Sequence, residues 1–546
     1  MDGTLAPAPP RQRPRNLAAL ESGTFDLLVV GGGSVGAGIA VHAAARGLRV
    51  ALVERDDFGS GTSSRSTKLV HGGVRYLERA VTGADFAEYR LVREALHERG
   101  AFFRLAPHLT RRIAILTPAY SAWSRLYYGA GLGLYDLVAG GASLGRTRHL
   151  GAAEAQRRFP ALAGTGLRGA VLYYDGQFDD ARFNVSLALT AAALGAVVVN
   201  HAGVFGLVKD GARIVGAGVR DSLSGGEVTV RARVVVNATG PFADTLRALD
   251  EPRPAPLLRP SGGVHLVLRP GLFPADIGLL VPKTPDGRVI FVLPWLGHTL
   301  VGTTDRPEDP AEHPAVREED VRYLLDLVGR QLSQPLQRAD IRSVWNGQRP
   351  LVRDPARRGT AALARGHVVI ESASGLVTVA GGKWTSYRRI AADAVAFVLR
   401  RHGLSAGPAR PAQETVLVGG SGFSDALVGE VQRRRSLPAD VAAHLGGAYG
   451  DRMDAVCALA AGGYGRRLVE GHPYLEAEVL WAVREEFAER VMDVLARRTR
   501  LAFLDRAAAR ACLPRVAALM GTELRWSEGR RRNEEQAAAA QLDGDM

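Results

Sequence analysis

Three glycines near the start of the chain have the spacing of a dinucleotide-binding turn. A short apolar run, residues 25–30, leads into Gly31, Gly33 and Gly36, and Glu54 ends the next apolar run. In such a turn the first glycine permits a tight bend, the second lets the backbone approach a pyrophosphate, and the third lets the following helix pack closely on the sheet. The helix N-terminus presents N–H groups to the phosphates, and an acid about 20 residues on accepts from a ribose hydroxyl. The spacing therefore predicts a bound dinucleotide.

The elements around these glycines have the order that a nucleotide-binding unit requires. Residues 37–45 are rich in alanine and predict a helix, and residues 49–53, which are apolar after Arg49, predict a second strand that ends just before Glu54. This β–α alternation continues to about residue 80. We therefore expect an α/β fold with a Rossmann-like first domain.

Later segments have a different pattern. Short alternating runs at residues 264–268, 289–293 and 299–302 predict an antiparallel sheet that is separate from the first one. A helical stretch at 181–194 and a valine-rich strand at 228–237 return the chain to the first domain, so the two domains are interleaved. Helical periodicity predicts further helices at 85–99, 123–138, 440–445, 475–498 and 505–520.

Two further strand ends resemble the glycine junction and indicate how large the ligand is. They are residues 234–240 (VVVNATG) and 377–385 (VTVAGGKWT), where small residues let the backbone approach a ligand closely. The candidate contacts there are Ala238, Thr239, Gly240, Gly381, Gly382 and Thr385. FAD must be held at both its adenine and its isoalloxazine end, whereas a nicotinamide cofactor usually needs one junction. Three junctions therefore predict FAD.

The predicted fold class is α/β, with a Rossmann-like FAD-binding domain interleaved with an antiparallel-sheet substrate domain, plus a C-terminal helical domain. We expect the FAD-binding domain at residues 23–80, 181–250 and 365–402, the substrate domain at 81–180 and 251–364, the helical domain at 403–530, and disordered tails at 1–22 and 531–546.

Composition narrows the class of protein and its partners. The 546 residues are 46% hydrophobic, enough for a large core in two or three domains. The net charge of +13 indicates an anionic partner: a phosphorylated small molecule, acidic lipid headgroups or nucleic acid. A solvated basic face explains the charge equally well. Arginine clusters at 497–500 and 530–532 lack interleaved aromatic residues, so we expect no nucleic-acid partner.

Cysteine content and hydropathy indicate the compartment. The two cysteines, Cys457 and Cys512, fit a reducing environment and exclude a disulfide scaffold or a cysteine-rich metal site, and we expect no metal. No apolar run reaches the roughly 20 residues of a spanning helix, and residues 1–16 lack a secretory signal. Any membrane association is therefore expected to be peripheral.

A long block resembles a known enzyme family. Residues 62–77 (TSSRSTKLVHGGVRYL) are similar to the signature of the FAD-dependent glycerol-3-phosphate dehydrogenases. The resemblance extends from about residue 25 to 526. It includes residues 106–108, 173–177, 180–182, 237–241, 294–295, 302–305, 349–351, 381–388, 471–478 and 497–504. Residues 260–265 (PSGGVH) lack the Lys-Gly-Ser-His element of the common bacterial pattern and look more like the mitochondrial branch. That branch carries EF-hands after its helical cap; here we expect no calcium control.

The resemblance implies a reaction and its partners. It implies FAD-dependent oxidation of sn-glycerol 3-phosphate to dihydroxyacetone phosphate, with electrons passed to ubiquinone or menaquinone. It also implies peripheral binding to an anionic membrane surface, and we expect a cytoplasmic protein on the inner face of the cytoplasmic membrane. A homodimer is compatible with the sequence, which does not fix the oligomeric state.

Cations are needed to hold the substrate phosphate. In the implied reaction a hydride leaves C2 of the substrate for flavin N5 while a general base takes the C2 hydroxyl proton. We assign Arg75 and Arg349 as phosphate or transition-state clamps, because a guanidinium fork matches phosphate oxygens in a bidentate way. Lys383 is a third candidate, as a point charge at a helix start.

Two histidines are candidates for the base. His71 and His265 can accept a proton near neutral pH without a large environmental shift, although either could be structural. We assign Tyr76 as a hydrogen-bonding orienter. The hydroxyls of Thr62, Ser63 and Ser64 are expected to contact the pyrophosphate and flavin, and self-capping of a Ser/Thr-rich turn is the alternative.

An aromatic-rich helix offers an interfacial anchor. Its candidate residues are Trp123, Tyr127, Tyr128, Leu132, Tyr135 and Leu137, with Arg125 to meet anionic lipid. Core packing explains the same residues equally well.

Two other functions share part of this pattern. A flavin oxidase of glycerol 3-phosphate, amines or amino acids would have the same nucleotide site but would pass electrons to oxygen and release peroxide. A basic nucleic-acid-binding protein with a vestigial cofactor fold would be colourless and would bind RNA at moderate salt. Peroxide release and flavin colour separate the three.

Overall fold

A computed structural model describes residues 13–73, 86–282, 289–353, 366–407 and 414–544. The strands are β1 (Thr24–Val30), β2 (Val50–Val53), β3 (Leu69–Val70), β4 (Thr110–Ala119), β5 (Arg148–Leu150), β6 (Gly169–Phe178), β7 (Val197–Val199), β8 (Ala202–Asp210), β9 (Arg213–Asp221), β10 (Glu227–Asn237), β11 (Ser261–Leu268), β12 (Ile277–Val281), β13 (Ile290–Trp295), β14 (His298–Gly302), β15 (Arg306–Pro307), β16 (Ile341–Arg349), β17 (His367–Glu371) and β18 (Val377–Gly381).

Helices connect and cover these strands. They are α1 (Arg13–Ser22), α2 (Ser34–Ala44), α3 (Phe86–Leu105), α4 (Ala122–Ala139), α5 (Ala152–Arg158), α6 (Asp180–Ala193), α7 (Ala243–Ala248), α8 (Glu318–Gly329), α9 (Tyr387–His402), α10 (Asp425–Arg435), α11 (Ala439–Tyr449), α12 (Met453–Leu459), α13 (Glu476–Glu485), α14 (Leu501–Leu504), α15 (Arg506–Leu524) and α16 (Glu528–Asp543). Among the described residues, none of these helices combines the length and the hydropathy needed to span a bilayer.

The first sheet has β1 at its centre and is largely parallel. Its order is β17-β18-β10-β1-β2-β7, with β8 and β9 forming a hairpin beside β10. Val30 at the end of β1 pairs with Asn237 of β10 on one side and with Val53 of β2 on the other. Because these strands are parallel, their carboxyl ends meet at one edge of the sheet, where an open α/β sheet binds its ligands. The predicted Rossmann-like domain is confirmed.

Helices α2, α6 and α9 cover one face of this sheet and form a common core with it. Small residues let α2 approach its neighbours closely: a Cβ on Gly38 would lie 2.9 Å from Tyr387 Cδ2 of α9. This close packing fixes the start of α2 relative to the end of β1.

The second sheet has ten strands and is mostly antiparallel, as expected. Its order is β15-β11-β14-β13-β12-β4-β6-β3, with β16 beside β11 and β5 beside β6. The pairing of β4 with β12 is parallel. The two-residue strand β3 directly follows the loop that begins at Thr62 and pairs with β6, so this loop passes from the first sheet to the second.

The C-terminal helices pack on the second sheet. Val267, Trp295, Leu300 and Trp345 of that sheet share one hydrophobic cluster with α13, α14, α15 and α16. The helix expected over residues 475–498 is interrupted: α13 ends at Glu485, and a π-helical turn follows at Asp493–Arg498. Glu486 between them makes a buried ion pair with Arg182, which draws the chain towards α6.

The expectation of disordered tails is wrong for the parts that the structure describes. Helix α1 lies within residues 1–22; it buries Leu20, and Arg13 pairs with Asp221 at 2.6 Å. Helix α16 covers most of residues 531–546 and buries Ala538 and Leu542, which are four residues apart on one face. Both segments have a polar composition, but a few well-spaced apolar residues, together with ion pairs, stabilise a helix in each.

Candidate functional site

The glycine turn has the geometry that a dinucleotide site requires. Gly31 has φ +107°, and a Cβ there would lie 2.6 Å from the carbonyl oxygen of Ala238. A Cβ on Gly36 would lie 1.9 Å from the carbonyl oxygen of Gly31, so α2 starts directly against the turn. Gly33 is the N-cap of α2 and has no side chain to cap the helix; the Ser63 hydroxyl accepts from the first N–H, of Ser34, and an N-terminus of this kind suits a phosphate.

Glu54 lies over this turn. Its carboxylate accepts from the Gly32 N–H at 2.6 Å and from the Asp56 N–H at 2.9 Å. Burial, with a contribution from nearby Asp56, raises the pKa of Glu54. The acid is therefore held at the end of β2 where a ribose contact is expected; the contact itself stays a prediction.

The loop Thr62–Ser64 joins the glycine turn to the second sheet. The Ser63 hydroxyl accepts from the Ser34 N–H of α2 at 2.9 Å, and the Thr62 hydroxyl donates to the Gln348 carbonyl oxygen at 2.6 Å. The Ser64 hydroxyl is buried and has no hydrogen-bond partner among the described residues. A buried hydroxyl without a partner, one residue after the serine that contacts the start of α2, fits a polar ligand such as FAD.

The three strand ends named from the sequence meet at the glycine turn and at this loop. Ala238 contacts the glycine turn, and its N–H donates to the Val30 carbonyl oxygen at 2.9 Å. The Trp384 indole, which follows β18, donates to the Ser63 carbonyl oxygen at 2.9 Å. The structure thus brings together the three regions from which FAD was predicted.

The other residues predicted to contact the cofactor at these strand ends are three glycines with positive φ angles and two threonines, one of which is buried. The Thr239 hydroxyl donates to Asn237 Oδ1 at 2.7 Å, so the threonine shapes the turn. Gly240 has φ +57°. Gly381 and Gly382 have positive φ angles, and a Cβ on Gly382 would lie 2.3 Å from Ile390 Cδ1. Thr385 is buried.

Arg349 lies at the end of β16, one residue after the Gln348 that Thr62 contacts. Its guanidinium is 3.3 Å from the Gly262 carbonyl oxygen and from the Thr303 hydroxyl, and 3.7 Å from Asp305 Oδ1. The side chain is 34% exposed, so solvent reaches it. This position suits a clamp on an anionic substrate that lies next to the cofactor loop.

The two candidate bases differ in their surroundings. His265 of β11 is buried and stacks on Trp345 at 4.1 Å. Its Nδ1 is 3.2 Å from the Gly263 carbonyl oxygen and its Nε2 is 3.0 Å from the Thr67 hydroxyl. The carbonyl can only accept, so Nδ1 carries the proton and Nε2 accepts from Thr67. Burial and the nearby cations Lys68 and Arg349 hold the pKa of His265 well below its usual range.

His71 is the more accessible of the two. It follows β3, is half-buried, and lies with its ring centroid 6.2 Å from that of Phe291. Lys383 is exposed at the start of the turn Trp384–Ser386. The candidates Arg75 and Tyr76 lie outside the described residues.

A buried cationic cluster was missed from the sequence. Lys68 is fully buried, and its Nζ donates to the Ser64 carbonyl oxygen at 2.9 Å and to Asp180 at 2.7 Å. Arg500 of the C-terminal helices donates to the same Ser64 oxygen at 2.7 Å and lies 3.3 Å from Asp180. Burial lowers the pKa of Lys68 to about 7. Lys68, Asp180 and Arg500 lie in three segments that carry the family resemblance, 62–77, 180–182 and 497–504. Their separation along the chain did not predict that they are in contact.

One group of three side chains has the residue types of a metal site. Among the described residues, Asp57, His201 and Asp493 lie close together. Arg497 pairs with both carboxylates and Arg498 pairs with Asp57 at 2.5 Å. Two guanidinium groups occupy the carboxylates, so the group is an ion-pair network between the first domain and the C-terminal helices.

Comparison with known proteins agrees with this architecture. Residues 26–388 match the family described as FAD dependent oxidoreductase, and residues 411–531 match the C-terminal domain of alpha-glycerophosphate oxidase. A mitochondrial glycerol-3-phosphate dehydrogenase of Mus musculus is 45% identical over 97% of this chain and 75% of its own length. A mitochondrial glycerol-3-phosphate dehydrogenase of Arabidopsis thaliana is 44% identical over 96% of this chain and 86% of its own length.

Solved structures show the same likeness. The crystal structure of a glycerol-3-phosphate dehydrogenase from Bacillus halodurans complexed with FAD superposes with a TM-score of 0.80 at 30% identity, covering 98% of this chain and 97% of that one. An L-alpha-glycerophosphate oxidase from Mycoplasma pneumoniae with FAD bound shares the fold, with a TM-score of 0.52 at 18% identity, over 70% of this chain and 96% of that one.

Proposed function

The chain belongs to the family of FAD-dependent glycerol-3-phosphate dehydrogenases, and on that premise we propose that it oxidises sn-glycerol 3-phosphate to dihydroxyacetone phosphate and passes the electrons to ubiquinone or menaquinone. When bound, FAD supplies a hydride acceptor at N5 of its isoalloxazine ring. The protein's own residues hold the cofactor, bind the phosphate and take up the hydroxyl proton.

The link between Thr62 and Gln348 carries this proposal. Through it the loop predicted to contact FAD is hydrogen-bonded to the residue that precedes Arg349. The same loop contacts the start of α2 through Ser63. The cofactor loop is therefore tied to the residue next to the anion clamp, which supports binding of a small phosphorylated alcohol beside the cofactor.

Arg349 is the proposed phosphate clamp. A Cβ on Gly263 of β11 would lie 2.6 Å from the Arg349 guanidinium, so this glycine leaves room for it. Thr303 and Asp305 orient the guanidinium from the segment after β14. A guanidinium can bind two phosphate oxygens with parallel hydrogen bonds, which fixes the orientation of the substrate as well as its charge. Lys383 and Arg75 are kept as additional candidate cations.

His71 is the proposed general base. A base must exchange its proton with the substrate and then with solvent, and the half-buried side chain of His71 supports this assignment. His265 already uses both ring nitrogens and is held neutral by its surroundings, so we assign it to positioning. In this assignment the C2 hydroxyl proton moves to the imidazole of His71.

Helix α4 is the proposed membrane contact. Trp123, Leu126 and Leu137 are 72%, 62% and 76% exposed, and Tyr127 is also exposed. Leu132 and Tyr135 of the expected anchor are instead buried and form part of the core. Exposed Arg125 lies on the same helix, which suits an anionic lipid surface. We propose that the protein is cytoplasmic and binds the inner face of the cytoplasmic membrane through this helix.

The test is a reoxidation experiment on flavin-loaded protein. The enzyme is first reduced without oxygen by sn-glycerol 3-phosphate and is then mixed with either a soluble ubiquinone analogue or air-saturated buffer, while the flavin absorbance is followed. We expect fast reoxidation by the quinone and little peroxide in air. Fast reoxidation by oxygen with stoichiometric peroxide would identify an oxidase, and a colourless preparation that binds RNA would identify the nucleic-acid alternative.

A further inference from the structure

Tyr135 connects the exposed helix α4 to the turn that carries His71. It lies on the inward face of α4 and is fully buried. Its hydroxyl oxygen is 2.6 Å from the backbone nitrogen of Gly72 and 3.0 Å from Asp175 Oδ2. Gly72 directly follows His71, so Tyr135 holds the peptide next to the proposed base.

The directions of these hydrogen bonds are fixed by chemistry. The Gly72 N–H can only donate, so the Tyr135 oxygen accepts from it. Asp175 is paired with Arg99 at 2.8 Å, and its second oxygen accepts the single Tyr135 proton. The hydrogen bonds therefore form one chain with fixed directions: Arg99 donates to Asp175, Tyr135 also donates to Asp175, and Gly72 donates to Tyr135. If the phenol O–H rotated away from Asp175, one of these bonds would be lost.

The surrounding packing leaves this turn little freedom. A Cβ on Gly72 would lie 2.7 Å from Leu96 Cγ of α3 and 3.0 Å from Tyr135 Cε2. Arg99 of α3 also donates to the Ala142 carbonyl oxygen just after α4, at 2.8 Å. Gly72, the residue after His71, is therefore held by contacts from helices α3 and α4. Strand β6 supports these contacts through Asp175.

We propose that Tyr135 is a positioning residue for His71, and that its hydroxyl sets the orientation of the 71–73 turn and thereby the rate of the oxidation. This inference rests on the proposed function through the assignment of His71 as the base. It also means that the helix whose outer face is proposed to meet the membrane determines, on its inner face, where the base lies.

The test compares Tyr135→Phe with Tyr120→Phe in the flavin-loaded enzyme. Tyr120 is a suitable control because its hydroxyl bonds to Gln331 on an exposed surface. Tyr135→Phe is expected to keep its FAD, to change KM for glycerol 3-phosphate by less than about twofold, and to lower kcat by about 10- to 100-fold, since a small misplacement of a reacting group has such an effect. The acidic limb of its pH profile is expected to shift, and Tyr120→Phe is expected to match the wild type.

A second readout does not depend on turnover. Hydrogen exchange of the peptide that covers residues 69–73 is expected to be faster in Tyr135→Phe than in the wild type. If Tyr135→Phe does not fold, Asp175→Asn is the second variant: asparagine has one side-chain oxygen where Arg99 and Tyr135 each donate to a separate carboxylate oxygen. With that oxygen on Arg99 the Tyr135 hydroxyl loses its acceptor, so the variant is expected to lower kcat with little change in KM.

The outcomes separate this inference from the proposed function. A wild type that glycerol 3-phosphate cannot reduce overturns the proposed function, whatever the variants do. A wild type that is reduced, together with a Tyr135→Phe enzyme of unchanged kcat, pH profile and hydrogen exchange, overturns the positioning role alone.

Discussion

The Arg500 guanidinium donates a hydrogen bond of 2.7 Å to the main-chain oxygen of Ser64. These residues are 436 positions apart, and they join the C-terminal helices to the loop that is predicted to contact FAD. Lys68 donates to the same oxygen, and Asp180 balances both cations. The C-terminal helices therefore help to hold the cofactor loop in place.

Replacing Arg500 by glutamine should weaken FAD binding. A charge-assisted hydrogen bond of this kind contributes about 1.5–3 kcal/mol, so the dissociation constant for FAD should rise about tenfold or more. The control is Arg515→Gln, which removes a guanidinium that pairs with Glu476 among the C-terminal helices. Flavin fluorescence after dialysis measures both. Equal retention of FAD by the two variants would show that Arg500 does not support the loop.

The pH dependence of turnover should distinguish the two histidines. If His71 takes the hydroxyl proton, kcat rises with pH as its imidazole deprotonates, and His71→Ala removes this acidic limb. His265 is neutral over the same range because its pKa is held well below the usual value, so His265→Asn should keep the limb even if its rate is lower. Stopped-flow reduction across pH 5–9 checks this; an unchanged limb in His71→Ala means that another group is the base.

The cofactor-binding turns could be predicted from local sequence, whereas the contacts between distant residues that support them could not. The glycine turn at Gly31 and the strand ends at Asn237 and Gly381 could be predicted because each combines a buried strand with small residues over a short stretch. The Lys68–Asp180 pair spans 112 positions and the Tyr135–Gly72 bond spans 63. Such contacts depend on how the two sheets and the helices pack, which no local pattern encodes.

Local sequence also does not predict which aromatic residues of α4 are buried. From the sequence, all the aromatic residues of α4 were equal candidates for a lipid anchor. The structure divides them, because Tyr135 faces α3 and the second sheet whereas Trp123 faces outwards. Likewise His71 and His265 looked alike as bases until the stacking of His265 on Trp345 distinguished them.

Removing exposed apolar side chains from α4 should release the protein from lipid. Trp123→Ser combined with Leu137→Ser removes two of its most exposed side chains, each expected to contribute about 1.5–3 kcal/mol when buried in lipid. Sedimentation with anionic vesicles should show at least about tenfold weaker binding. Phe205→Ser is the control, since Phe205 is 45% exposed on β8 of the other sheet. Equal losses in both proteins would contradict a specific role for α4.

Folding stability should fall in mild acid because of His108. Burial, with Arg182 adding to it, lowers the pKa of His108 from 6.5 to about 3. Between these values the unfolded chain binds a proton that the folded protein does not, so the free energy of unfolding decreases as pH falls from 6.5 towards 3. His108→Asn should reduce this slope by about 1.4 kcal/mol per pH unit. Urea unfolding at pH 6 and pH 4, both between the two pKa values, measures the slope, and identical slopes for variant and wild type would rule out the contribution of His108.

The most direct test of the whole account is anaerobic titration of the purified, flavin-loaded protein with sn-glycerol 3-phosphate, followed by the flavin absorbance, in parallel with Arg349→Lys. Arg353→Lys is a matched control, because Arg353 is four residues further along the chain, is exposed and donates to the Leu258 carbonyl oxygen. We predict full bleaching of the wild type and of Arg353→Lys, none with glycerol, and the same end point for Arg349→Lys only at about tenfold or more higher substrate, since lysine cannot bind phosphate as a fork. A folded wild type whose bound flavin stays oxidised at saturating glycerol 3-phosphate would contradict the account.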